Sequence, residues 1–593
     1  MSLLKNKSDR QLDQLEQFAD KGGIRVISSG GTRLKKAMDG TEGSKSVAGI
    51  TMQHGDRPYR FEEPGRARRE PSPPAPPVHL NAFVSTWRTN APGESLLILE
   101  GLESDRTYDC TVDWGDGVVE NLNGHDDPKW NHTYANAGDH TVIITGVFGG
   151  FKSEGNWGED FLNTLQKLIS ITSIGQVGWT DFNGAFHFAR NLTSFSIGDY
   201  EVVATDVVRM FSNCSNLKFV DIAKLDISNL TTLAEMFHFC QKLPSLDVSE
   251  WDISNIVSLN GLFRGCSALQ GLDVSNWNTS NVEDMSFLFH SCMNVPLLDV
   301  SNFDTSKVEN MMGAFYGCVS LSSLDVSNFD TSNVKSMEQM FAHCTNLVSL
   351  DVSNFDTSNV TSMKRMFDLC TNLVSLDLSN FDTSNVTTMS SMFSQTNNLQ
   401  NLDLSGWDTS SVEDMTGMFA WSGGFSDFGS LDVSSVKLMG QMFFSNRETH
   451  FDLSSWNTSN VENMAGMFAF VQIESLNTSG WDTSKVVFMS GMFNSYPLPT
   501  IDISHFDMSS VVSFDTMFSG ASLEVIPDIP LVSSSVVTTV SGMFADIGDG
   551  LTGVAPEFWN STNFPNLSAP FNTPPFRGAT GLSNYEDIPA NWK

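Results

Sequence analysis

Residues 350–367 read LDVSNFDTSNVTSMKRMF, and close copies of this stretch recur along the chain. The phenylalanine that ends each copy serves as a ruler. Phe211, Phe237, Phe263, Phe289, Phe315, Phe341, Phe367, Phe393 and Phe419 stand 26 residues apart, and Phe443, Phe468, Phe493, Phe518 and Phe544 follow at steps of 24, 25, 25, 25 and 26. With Phe186 ahead of them, the ruler marks fifteen coils. A fixed period of about 20 to 50 residues is the mark of stacked units, each too small to bury its apolar face alone.

Positions within one copy suggest its parts. In Leu350-Asp351-Val352-Ser353 the alternation places Leu and Val inward and Asp and Ser outward, as in a strand with one buried face. Asp356-Thr357-Ser358 reads as a turn. Val360, Met363, Met366 and Phe367 then fall on one face of a short helix. Ser280 with Glu283, Ser306 with Glu309, Ser410 with Glu413 and Ser459 with Glu462 fit a capping box at its start. The expected coil is strand, turn, helical turn and return, with neighbouring coils sharing hydrogen bonds and core.

The totals narrow the function. Of 593 residues, 34 are Lys or Arg and 69 are Asp or Glu, a formal charge of −35, which argues against nucleic acid or an anionic membrane as the main partner. No apolar run is long enough to span a bilayer. The opening MSLLKNKSDR carries charges where a secretory signal would be apolar, so export by that route is not expected. Residues 1–77 differ from the rest: 14 Lys and Arg against 10 Asp and Glu, a short helical face at Leu12, Leu15 and Phe18, and the Pro-rich spacer EEPGRARREPSPPAPP. The segment reads as a disordered tail or as an anchor that docks in a larger assembly.

Residues 78–150 change to short alternating strands (FVSTW, SLLILEGL, YDCTVDWGDGVVE and HTYANAGDHTVIITG), the pattern of a small sandwich. Val112-Asp113-Trp114-Gly115-Asp116-Gly117, His132-Thr133-Tyr134 and Gly138-Asp139-His140-Thr141-Val142 resemble the polycystic-kidney-disease (PKD) type domain, with Asp and Gly as turn formers. The repeats, with MFxxC, NLxSLDVSNFDTSNV and the closing GLSNYEDIPANWK, resemble BspA-type leucine-rich-repeat surface proteins over about residues 78–593. That resemblance implies a solenoid used in adhesion and surface recognition. The expected fold is an α/β repeat solenoid, leucine-rich-repeat-like, with a parallel β-sheet plus short helices over residues 151–550, preceded by a small PKD-like β-sandwich and closed by a cap at 551–593.

Several columns could carry chemistry. Cys214, Cys240, Cys266, Cys292, Cys318, Cys344 and Cys370 lie three residues after the ruler, and later coils replace them with Thr396, Ser422, Asn446, Val471 and Tyr496, so they read as small buried packing residues. None of the eleven histidines has a metal-ligand spacing; His187, His238 and His290 read as surface or capping residues beside a helix end. The aromatic column Trp251, Trp277, Phe303, Phe329, Phe355, Phe381 and Trp407 reads as core rather than as a sugar platform.

Two acidic rows remain. Asp247, Asp273, Asp299, Asp325, Asp351, Asp377 and Asp403 form one on the outer face; Asp304, Asp330, Asp356, Asp382 and Asp408 form the other. Unit charges about 4.8 Å apart repel by roughly 0.9 kcal/mol even in water. Ser and Thr hydroxyls and turn amides are expected to satisfy the second row. The first is the candidate ligand-binding face, presenting a polar recognition strip or holding Ca2+; no other cofactor is expected.

A non-catalytic recognition rod follows, its ligand a host or cell-surface glycan or protein. A phage virion fibre or capsid-projecting fibre, held to a virion protein through residues 1–77, accounts for an extracellular site without an export signal; a bacterial cell-surface adhesin is the alternative. A polysaccharide-degrading enzyme would need a unique constellation, and the one real break, the 24-residue coil, brings Asp427, Arg447, Glu448 and His450 together in sequence. An ice- or mineral-binding reading rests on the hydroxyl row Thr305, Thr331, Thr357 and Thr383, and the adjoining charges count against it.

Overall fold

The structure, a computed structural model, describes residues 25–27, 51–54, 57–60, 81–151, 159–425, 428–530, 534–567 and 571–593. The chain forms two units, Met1–Pro76 and Pro77–Lys593. In the first, β1 (Arg25–Ile27), β2 (Thr51–His54) and β3 (Arg57–Arg60) make an antiparallel sheet in that order. The helix expected at Leu12–Phe18 and the Pro-rich spacer lie outside the described residues.

The second unit opens with strands where the alternating stretches place them: β4 (Phe83–Thr89), β5 (Ser95–Leu97), β6 (Tyr108–Asp113), β7 (Val119–Asn123), β8 (Asn131–Thr133) and β9 (Gly138–Phe148). β4, β9, β6 and β7 pair antiparallel, while β5 and β8 form a thin second layer. Phe83, Trp87, Tyr108, Trp130 and Phe148 are buried in the shared core. As expected, the acidic turns bond their own amides: Gly115 N–H donates to Asp113 Oδ1 at 2.9 Å and Val118 N–H to Asp116 Oδ1 at 3.1 Å. Gly115 has φ +80°, and a Cβ there would lie 2.4 Å from the carbonyl oxygen of Thr141.

After α1 (Glu159–Leu165), β10 (Leu168–Ser173) pairs antiparallel with β4 on one side and parallel with β11 (Ser194–Ser196) on the other. β13 (Phe219–Asp221) extends the sheet, so seven strands run from the sandwich into the first coils; β12 (Val202–Val203) pairs with β14 (Leu225–Asp226) beside them. From there the coils stack. The ruler rings sit face to face with centroids 5.3–6.2 Å apart from Phe186 to Phe544. The repeat solenoid is therefore as expected, with Leu350, Val352, Val360, Met363, Met366 and Phe367 buried.

The inside of a coil differs from the expectation in two ways. First, the Met-Phe segment is not a helix. Met363, Arg365, Phe367 and Leu369 donate their N–H groups to Thr388, Ser390, Met392 and Ser394 of the next coil at 2.8–3.1 Å, while Met366, Asp368 and Cys370 close local turns onto Met363, Arg365 and Phe367. Residues two before and two after the ruler take positive φ, 56° at Arg365 and 60° at Leu369. Alternating handedness turns alternate peptides along the stack. Turns that each reach back three residues mimic helical spacing, which is why the sequence reads as helix. With no helix there is no N-cap: Ser306 Oγ donates to Asp304 instead, and Glu309 and Glu413 pair with Lys335 and Lys437 of the next coils.

Second, LDVS does not make a continuous parallel sheet. Short strands pair only at places such as β15 (His450–Asp452) with β16 (Ser475–Asn477). The regular bridges lie elsewhere, five residues before the ruler, through Ser336, Ser362 and Thr388. The cause is local: Ser353 N–H donates to Asp351 Oδ1 and Phe355 N–H to Val352 O, so turns consume the amides a ladder would need.

Side chains do that work on this side of the coil. Asn354 Nδ2 reaches back to Ser327 O at 3.0 Å and Asn359 Nδ2 to Ser332 O at 2.8 Å, and each repeats in register at Asn380 and Asn385. Both ends of the stack are closed. Arg106, its side chain 10% exposed, donates to Asp181 O at 3.2 Å and Gly149 O at 2.9 Å, setting a cation at the carbonyl end of the aligned peptides. At the other end Gly542, Phe544 and Asp546 N–H groups donate to Thr573, Pro575 and Arg577, and the Phe576 ring stacks on Phe544 at 5.6 Å. Pro574, two before that last ring, has no N–H to leave open, and Phe576 N–H is taken by Trp592 O at 2.9 Å.

Candidate functional site

The first acidic row is exposed, as expected, and every member is tied down. Asp247, Asp273, Asp299, Asp325, Asp351 and Asp377 each accept, on Oδ1, the N–H and the hydroxyl of the serine two residues on, the hydroxyls at 2.6–2.7 Å; Asp403 accepts Ser405 N–H at 3.0 Å. These bonds hold the carboxyls of Asp325 and Asp377 below the usual carboxylate range. The second row is built the same way, from Ser306 on Asp304 to Ser410 on Asp408. The two rows, given different roles on sequence alone, are thus the same Asp-x-Ser turn. Among the described residues no three His, Cys, Asp or Glu side chains gather as a metal site.

The threonine row faces inward. Thr305, Thr331, Thr357 and Thr383 are buried and donate to Asp330, Asp356, Asp382 and Asp408 carbonyls of the next coil at 2.8–2.9 Å. This overturns the hydroxyl surface required for ice or mineral binding. The cysteines are buried and unpaired, and they do more than fill space: Cys266, Cys318 and Cys370 thiols donate to the Phe237, Phe289 and Phe341 carbonyls at 3.1–3.2 Å. Burial pushes Cys266 and Cys344 up to about 12. The replacements make sense in the same terms, since Thr396, Ser422 and Asn446 also donate to a ruler carbonyl. The aromatic column is stacked and largely buried, with Trp251–Trp277 at 6.3 Å and Phe355–Phe381 at 6.5 Å.

His238 and His290 correct the surface reading, because both are largely buried against neighbouring coils and burial brings each down to about 4. They sit in a run of rings and cations: Arg264 lies 4.6 Å over Phe287, and His290 stacks on Tyr316 at 4.3 Å.

The break in the period is a structural joint. Glu448 accepts Gly424 and Phe425 N–H groups, Arg447 N–H donates to Ser422 O, and His450 Nδ1 lies 2.9 Å from Ser475 Oγ. Asp427 lies outside the described residues. A cavity of about 410 Å3 lined by Ser509, Ser534, Thr562 and Asn563 carries no carboxylate, imidazole or thiol.

Sequence reasoning missed one feature. Trp421, Leu438, Phe470 and Phe488 are exposed on the ladder side of neighbouring coils. The signal was available: at the place of Leu438 and Phe488, five before the ruler, earlier coils carry Asp206, Thr232, Ser258, Asp284, Asn310 and Ser336.

Residues 205–297, 294–402, 366–478 and 469–574 match the family described as "Mycoplasma protein of unknown function, DUF285". The chain belongs to that family. Its matched segments overlap and follow the stacked coils described above. No curated protein matches the chain. Among solved structures, a leucine-rich repeat protein from Bacteroides ovatus is 12% identical, covering 68% of this chain and 94% of its own, with a TM-score of 0.23. A TLR13–ssRNA13 complex is 15% identical, covering 71% of this chain, with a TM-score of 0.21; this chain spans about half, 51%, of that one. The ectodomain of the Arabidopsis receptor kinase HAESA is 12% identical, covering 68% and 78%, at 0.19. Superpositions this loose carry no argument, and the leucine-rich-repeat-like solenoid rests on the coils themselves.

Proposed function

We propose that the chain is a non-catalytic recognition rod displayed on a surface, with the solenoid as a stiff stack and its outer faces as the binding surface. The observation that carries this reading is uniformity. The thiols bond carbonyls of the preceding coil, the buried threonines those of the next, and most turn acids the serines of their own coil, and no described constellation joins an acid, a base and a cavity. What remains for function is a long exposed surface, the common use of stacked repeats. The PKD-type identity of the first sandwich and the BspA-type surface role belong to the same proposal, as does attachment through residues 1–77.

A virion fibre is the favoured setting, with residues 1–77 held by a virion protein. The family description naming Mycoplasma supports a bacterial cell-surface adhesin as the second reading. An antibody to the repeats, applied to purified virions and to intact cells with and without deletion of residues 1–77, separates them. Particle labelling lost on deletion supports the fibre and its anchor. Labelling of intact cells alone supports the adhesin, and labelling of neither sinks surface display.

A further inference from the structure

We infer that the ladder side of the coils ruled by Phe419, Phe443, Phe468 and Phe493 is a binding trough for an uncharged glycan chain. The inference rests on the recognition reading above and gives it a place and a ligand class. Two rows of exposed apolar side chains border the trough: Trp421 (43% exposed) and Phe470 (48%) two residues after the ruler, and Leu438 (39%) and Phe488 (47%) five before it. Phe444 links the first row, its ring 4.7 Å from Trp421 and 5.3 Å from Phe470.

Between the rows the backbone carries small residues. Gly417, Gly466 and Gly491 hold the left-handed place two before the ruler, with φ from +62° to +65°, and Gln441 holds it in the remaining coil; Gly261 and Gly313 hold it in earlier coils too, interspersed there with Arg209, Glu235 and Arg365. Solvent-facing apolar side chains grouped on neighbouring coils of a protein with charge −35 call for a partner.

The chemistry selects the partner. The peptide N–H groups along this stretch, at Gly417, Phe419, Gly466 and Phe468, already bond the next coil, so an added polypeptide strand finds no edge to pair with. Side-chain donors and acceptors are present instead, at Gln441, Ser445 and Asn494, beside aromatic faces. Sugar rings offer both an apolar C–H face and a fringe of hydroxyls. Asp414 stands in the outer row, its Oδ1 taken by Thr416 N–H, and Glu413, Lys437 and Glu462 lie just outside it. With no cation between the rows and a strongly negative protein around them, sialylated or sulfated chains are disfavoured.

Cellohexaose, chitohexaose, maltohexaose and mannohexaose titrated against the full chain, followed by tryptophan fluorescence and calorimetry, test this. At least one is expected to bind, with affinity reduced tenfold or more in the Trp421→Ala/Phe470→Ala variant and unchanged in a Phe239→Ala control; heparin is expected not to bind. Both variants change exposed rings, and a circular dichroism melt checks that they remain folded. Absence of binding by all four sugars, or equal binding by wild type and double variant, overturns the trough. So does concentration-dependent dimerisation lost in the double variant, which would make the patch a contact between copies of the chain. Adherence of fluorescent protein to intact cells separates the two readings. Adherence that survives the double substitution removes the trough and keeps recognition, whereas a wild-type chain that adheres to no cell and binds no sugar removes both.

Discussion

The two sides of a coil keep register by different means. On the ladder side, between about five residues before the ruler and two after it, main-chain N–H groups bond the next coil directly, and the side chains that point outward are free to vary. On the LDVSNFDTSN side, turns occupy the main chain, and Asn and Thr side chains carry the bonds between coils. The sequence follows this division. In the coils ruled by Phe289, Phe341, Phe367 and Phe393 the places of Asn354, Thr357 and Asn359 keep the same three residues, while the ladder place two before the ruler passes through Phe287, Gln339, Arg365 and Ser391 without loss of the stack. Variation, and with it room for binding, belongs to the side whose backbone already holds itself.

The largest expected effect strikes the core both sides share. Phe367 is fully buried between Phe341 and Phe393, 5.9 Å from each. Phe367→Ala should cost about 3–5 kcal/mol, the range for a large buried aromatic lost without collapse of its site. Because each coil contacts its immediate neighbours, the loss should be local, and hydrogen exchange should show earlier opening around residues 341–393 than near Phe518.

Next comes the side-chain-held face. Thr357→Val keeps shape but removes the donor to Asp382 O, leaving a carbonyl without its partner; about 1–3 kcal/mol of destabilisation is expected in urea unfolding. The same exchange at Thr361, exposed and bonded to Lys335 O at 3.2 Å, should cost less, since water can replace the hydroxyl. Equal losses would break the distinction between the two sides.

These elements differ in how far the sequence revealed them. The period, the buried ruler and the alternation of Leu350 and Val352 were legible because burial depends on spacing alone. The Met-Phe segment reads as a helix because turns that reach back three residues leave the same apolar spacing, and only the handedness of Arg365 and Leu369 tells the two apart. Spacing alone does not say which way Thr357 points, because its polar neighbours Asp356 and Ser358 do not mark it as buried. The sixteenth ring, Phe576, escaped the period because it stands 32 residues after Phe544. Trp421 and Phe488 were missed since a regular pattern draws attention to what repeats, whereas they are departures from it.

A smaller effect concerns acid. His238 and His290 are bases whose charged form burial penalises, with folded values near 4 against an ordinary value of about 6.5. Arg264 faces both and opposes a further positive charge; Arg209 and His187 act in the same sense on His238, as does His343 on His290, while Glu235 opposes them at His238 alone. A depressed base leaves stability untouched above about 6.5 and lowers it as pH falls from there towards 4, because the unfolded chain takes up protons that the folded chain refuses. The melting temperature should therefore decline in that window, and His238→Gln should flatten the decline. The Asp-x-Ser carboxyls act at lower pH, since their folded values lie below the ordinary range and their contribution disappears only once they are protonated.

The smallest effect separates the outer acidic rows from a true cation site. A carboxylate that already accepts a hydroxyl and an amide on one oxygen, as Asp351 does from Ser353, has part of its coordinating capacity committed, and its neighbours along the row are committed in the same way. Binding Ca2+ across coils would require several such carboxylates to give up those bonds together, yet a hard cation takes six to eight oxygens. Screening, in contrast, relieves repulsion along both rows at once and depends on ionic strength. Melting temperatures in CaCl2 and in NaCl at matched ionic strength should therefore rise together. A larger rise in Ca2+ that is reduced by Asp351→Asn but not by Asp356→Asn would show that the two rows, built from one turn, have different uses after all.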